Sequence, residues 1–165
     1  MELENQTTKQ AYIQMLLEIL RKKLAILNEL MRLTLVQEEL MKQEPFNEDE
    51  FLKTIDEKEK QLKALTELDT GFEHIYDRVR EELTTQKANY YHEITLMQEY
   101  ISSITDISVK LQATEKRNRS RLEQILLQKR KDIKQSRVNS QMVTKYYKSI
   151  ANQNDAPSYF YDKKK

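Results

Sequence analysis

The sequence predicts an all-α protein, an elongated antiparallel helical bundle or coiled coil of three to four long helices with a disordered C-terminal tail. Three observations carry this expectation. Among 165 residues there are one glycine and two prolines, so the residues that interrupt helices are nearly absent. The apolar share is 38% and the charged share 33%, against roughly 45–50% and ~25% in compact domains. Such a chain has little apolar surface for a thick core and suits long helices that each bury a narrow stripe. Apolar residues also recur at steps of three and four along most of the chain.

The expected helices span about 8–43, 48–69, 71–86 and 89–137, with a weak helix to 150, in a single elongated domain covering 1–150. Thr7 and Gln10 have capping-box spacing and set the first start. Ile13, Leu17, Leu20, Leu24, Leu27, Met31 and Leu35 then form one stripe, broadened by Leu16, Leu30, Val36 and Leu40. A stripe this broad calls for more than one packing neighbour. Pro45 ends the helix, because the residue before a proline avoids the α region. Asn47 can cap the second helix with Glu50 at N3, and Phe46 and Phe51 are placed as a hydrophobic staple. Its outer face carries "DEKEK", which reads as a solvated surface with favourable pairs four apart and no site.

Gly71, preceded by Thr70 and followed by Glu73, marks the next expected joint. From Phe72 to Ala156 there is no glycine or proline. The pattern allows one very long helix or two helices, and a kink or break is expected around Thr85–Asn89, where the apolar stripe shifts by one residue into Ile94, Met97, Ile101, Ile104 and Leu111. Continued from there, the heptad lands on Glu115 and Asn118 before Leu122 and Ile125. Polar residues at such positions lower stability but can fix register. Residues 151–165 form the expected disordered aromatic and basic tail.

Few chemistries are open to this composition. With no cysteine there is no disulfide or thiolate ligand, which suits a reducing, cytoplasmic setting. No apolar run is long enough to span a bilayer, so stable membrane insertion is not expected. His74 and His92 are the only histidines, and His74 with Asp77 and Glu81 reads as surface ion pairing. No phosphate-binding glycine loop exists, and no serine sits beside a histidine base. Catalytic, cofactor-binding and metal residues are therefore expected to be none.

Charge is divided along the chain. Residues 1–109 carry 13 Lys and Arg against 22 Asp and Glu, and residues 110–165 carry 15 against 5. The halves either neutralise one another in a folded-back bundle or offer the basic part to an acidic partner. Nucleic-acid binding is not expected, since the basic residues lie on several sides of their helix and the acidic half would repel phosphate. A partner protein fits better. Leu122, Ile125, Leu126, Ile133, Val138, Met142, Val143, Tyr146, Tyr147 and Ile150 form an intermittent apolar series at helical spacing. If the bundle ends near Leu122, this series has no surface of its own chain to cover and is expected to bind another helix. Tyr159, Phe160 and Tyr161 form a separate, second contact element.

The runs "LKALTELDTGFEHIYDRVREEL" and "ITDISVKLQATEKRNRSRLEQILLQKRKDIKQSR", with the ending "YYKSI…SYFYDKKK", resemble FlgN-type flagellar export chaperones. The likeness is to the forms found in Gram-positive anaerobes and covers nearly the whole chain, carried by the order and spacing of the motifs together. It implies a small cytoplasmic helical chaperone without catalytic activity. Such a chaperone binds hook–filament junction proteins before secretion and delivers them to the flagellar export gate. Its C-terminal segment, here the region after Asn118, is the part implicated in cargo binding. One departure is the pair Asn118-Arg119 where many members carry Asn-Gly, which removes the basis for a bend at that glycine. The competing expectation is a self-associating coiled-coil adaptor, a homodimer without secretion cargo.

Overall fold

The computed structural model describes residues 2–132 together with Met142, Thr144, Lys145, Tyr146 and Lys148. Three long helices account for most of them: α1 (Glu2–Lys42), α2 (Glu48–Thr85) and α3 (Tyr91–Asp132), with a short 3-10 turn, Lys87–Tyr90, leading into α3. The five described residues after α3 are also helical. Each long helix is about 60 Å from end to end at ~1.5 Å per residue. The chain runs up, down and up: α1 packs along both other helices, antiparallel to α2 and parallel to α3. Among the described residues, no helix is long and apolar enough to cross a membrane.

Local signals explain most of the boundaries. The Asn47 side chain accepts a hydrogen bond from the Glu50 backbone N–H at 3.1 Å, capping α2. The Phe46 and Phe51 rings meet edge to face with centroids 5.4 Å apart, as a staple should. The α2–α3 break falls at Gln86, inside the expected window.

Two expected joints are absent. α1 starts at Glu2 rather than near Thr7, whose hydroxyl donates to the Leu3 carbonyl at 2.8 Å. Nor does Gly71 separate two helices, because α2 runs through it unbroken. Thr70 donates back to the Thr66 carbonyl at 3.1 Å instead of capping a new helix. A lone glycine lowers helix propensity without ending a helix whose stripe is packed on both sides of it. The expected end of the last long helix at 137 and the tail 151–165 lie outside the described residues.

The core follows a heptad. In α1 Ile13, Leu16, Leu20, Lys23, Leu27, Leu30, Thr34, Gln37 and Met41 are buried at alternating steps of three and four, with Leu17 and Leu33 buried beside them. In α2 the same alternation gives Phe51, Ile55, Lys58, Leu62, Leu65, Asp69 and Phe72. Leu35, at the end of the expected stripe, is exposed, and Thr34 beside it takes the buried place. Polar side chains hold some of the buried places. Lys23 and Asp69 form one buried pair, Nζ to Oδ1 2.8 Å, between α1 and α2. Burial pulls the Lys23 ammonium down to about 8, with Asp69 opposing, and burial likewise raises the Asp69 carboxyl.

Candidate functional site

The end of the bundle formed by the C-terminus of α1, the N-terminus of α2 and the last third of α3 has its own core. Met41, Phe51, Ile55, Leu122 and Leu126 are buried there, with Leu40, Phe46, Leu52 and Ile125 packed around them. Met142 and Tyr146, four residues apart on one helical face, close over this cluster. The Tyr146 ring lies 5.9 Å from that of Phe51, and the ammonium of Lys58 is 5.8 Å from the Tyr146 ring centre. Thr144 and Lys148, on other faces of the segment, are exposed.

Beneath the apolar rim lies a polar floor. Glu115 of α3 and Lys58 of α2 are both buried and paired through Oε1 and Nζ. The Thr34 hydroxyl is 3.0 Å from the same carboxylate oxygen and 2.7 Å from the Leu30 carbonyl, so its proton is shared between them. The Tyr146 hydroxyl donates to the other oxygen, Oε2, at 2.9 Å. Lys58 also donates to Gln37 Oε1 at 3.0 Å, and Gln37 Nε2 donates to the Thr54 hydroxyl at 3.0 Å. Asn118 Nδ2 donates to the Thr34 carbonyl at 2.9 Å, tying α3 to α1 one turn further on. Every member has a partner, the condition under which a buried ionic network is tolerated.

The floor shapes the proton affinities around it. Burial lowers the Lys58 ammonium, while the Glu115 charge works against that shift. Burial raises the Tyr146 phenol well above its ordinary value, and the adjacent Glu115 charge raises it further. The phenol is therefore a fixed hydrogen-bond donor at neutral pH. Outside the apolar rim, Lys129 pairs with Glu48 and Lys145 with Asp56. Part of the basic C-terminal half is thus neutralised by the acidic start of α2.

The sequence-predicted binding series is brought together, but not as an open face. Leu122, Leu126, Met142 and Tyr146 are buried in one cluster and Ile125 is half-buried. The expectation that this series lacks a surface on its own chain is corrected: the bundle continues past Leu122, and α1 and α2 supply the cover. Ile133, Val138, Val143, Tyr147, Ile150, Tyr159, Phe160 and Tyr161 lie outside the described residues. "DEKEK" is not a uniformly solvated face either, since Lys58 at its centre is buried in the network. Lys58, Thr34, Gln37 and Thr54 escaped the sequence reading. For the first three, the heptad count carried across polar residues is the signal that finds them. Among the described residues, no group of three or more His, Cys, Asp or Glu side chains is placed to hold a metal ion.

Comparison of the chain with protein-family models, curated proteins and solved structures returns no match.

Proposed function

We propose that this chain is a FlgN-type flagellar export chaperone. In this reading it is a non-catalytic cytoplasmic carrier that binds hook–filament junction proteins and hands them to the flagellar export gate. The observation that carries the reading is the end of the bundle: among the described residues of the C-terminal segment, Met142 and Tyr146 are buried in an apolar cluster. That is the helix-in-groove mode by which a carrier holds an exposed helix of its cargo. The motif resemblance supplies the cargo class. Because Met142 and Tyr146 are engaged within the chain, cargo binding through the C-terminal segment begins with its release from the bundle. The exposed Lys116, Arg117, Arg121 and Arg130 on α3 would steer an acidic cargo toward this end.

Size-exclusion chromatography of the full-length protein with the C-terminal regions of junction proteins tests the reading. Co-elution is expected, with association slowed by added salt and by Arg117→Glu/Arg121→Glu. Failure of every junction protein to co-elute at low salt removes the flagellar reading. A cargo-free dimer in light scattering would favour the self-associating adaptor instead.

A further inference from the structure

We infer that the seat beneath Met142 and Tyr146 reads a helix of another protein that carries methionine or an aliphatic residue four positions before a tyrosine. The incoming helix takes the place of the chain's own segment. The inference rests on the carrier reading above and names the helix chemistry which that reading leaves open.

The chain's own segment shows what the seat accepts. Among the described residues of the segment, one apolar side chain and one tyrosine, at i and i+4, are the buried contacts, and the residue before the tyrosine, Lys145, reaches Asp56 at the rim. Lifting the segment away would uncover Phe51, Ile55, Leu122 and Leu126 as a continuous apolar patch. It would also take the phenol donor from Glu115 Oε2 at the bottom of that patch. The open seat is therefore an apolar socket with a carboxylate acceptor at its floor. Tyrosine fills both requirements, with a large flat ring for the rim and a hydroxyl donor for the floor. Phenylalanine fills only the first and leaves a buried charged acceptor short of a donor, a loss of about ten- to a hundredfold in affinity. Aspartate or glutamate at that position would be repelled by Glu115.

The own segment acts as a tethered competitor. Nine residues separate Asp132 from Met142, and a connection this short in sequence gives the segment an effective concentration on the order of millimolar at its seat. A partner helix in trans meets a seat that is open for only a fraction of the time, and its apparent affinity falls by that fraction. Weakening the own segment without touching the seat should therefore tighten binding of the partner.

The test uses the full chain and, as probe, a fluorescein-labelled peptide copying residues 138–150, VNSQMVTKYYKSI. Fluorescence anisotropy compares wild type, Tyr146→Ala and, as a second vacated form, Met142→Ser, with circular dichroism verifying that each remains helical. The peptide is expected to bind both variants at least about tenfold more tightly than wild type. A peptide with phenylalanine in place of the tyrosine corresponding to Tyr146 is expected to bind the variants at least about tenfold more weakly. Equal binding to wild type and both variants, or equal binding of the two peptides, overturns the proposal. A wild-type dimer that is lost in Tyr146→Ala also overturns it, since the seat would then exchange segments between copies of this chain. Peptide binding as expected without junction-protein co-elution would sink the flagellar reading and leave the seat standing. Co-elution unchanged by Tyr146→Ala, with no peptide binding, would sink the seat alone.

Discussion

The hydroxyl of Tyr146 donates to Oε2 of Glu115 at 2.9 Å, joining the C-terminal segment to a carboxylate buried in the body of α3. Thirty-one residues of sequence separate the two, and the bond closes a network that already holds α1, α2 and α3 together. Tyr146→Phe keeps the ring against Phe51 and removes only the donor. A hydrogen bond to a charged group contributes about 1.5–3 kcal/mol, and that loss should fall on the segment. Amide hydrogen exchange should therefore quicken at residues 142–148, while the middle of α1 and α2 retains its protection.

Lys58 neutralises Glu115 from the opposite helix. Lys58→Met leaves the carboxylate buried without its cation and is expected to cost about 3–5 kcal/mol in urea unfolding. Adding Glu115→Gln removes the stranded charge and keeps an acceptor, so the double variant should recover about 1–3 kcal/mol. A double variant no more stable than Lys58→Met would show that the pair is not coupled as its geometry requires.

Lys23 gives stability a dependence on alkaline pH. Its folded pKa is about 8 against 10.5 in the unfolded chain, so between these values the unfolded chain binds more protons. Stability from this group therefore rises with pH across the window and is lost as pH falls through about 8. Burial shifts Lys58 in the same direction. Tyr146 acts oppositely: its raised phenol keeps a proton that the unfolded chain releases above 10.0, so stability declines beyond that pH. The urea midpoint should climb from about pH 8 to about pH 10 and then turn down. In Lys23→Met/Asp69→Leu the climb should be smaller and the starting stability equal or higher, by up to ~4 kcal/mol.

Gly71 sits inside α2 with no positive backbone φ to justify it. A Cβ placed there would meet Ile19 Cδ1 at 3.9 Å, an ordinary contact. Gly71→Ala should stabilise the protein by about 0.5–1 kcal/mol through helix propensity. Thermal unfolding should register this as a rise of about 1–4 °C.

Period, caps and breakers made much of the helical layout legible in the sequence, because each acts over a few neighbouring residues. The Asn47 cap, the Phe46–Phe51 staple and the break beside Gln86 all follow from such local signals. Gly71 misled for the same reason: its local preference was outweighed by packing along the whole of α2. Which of the inward-phased polar side chains meet one another was decided by the tertiary structure alone. Leu35 is exposed and Thr34 buried because burial follows a residue's phase on the helix and the partner facing it across the bundle. Lys58 and Glu115 lie 57 residues apart in the chain, and nothing local to either reveals the other. The place of Met142 and Tyr146 is likewise a tertiary fact. An amphipathic pattern says that a face must be covered, and only the folded bundle determines that α1, α2 and α3 together cover it.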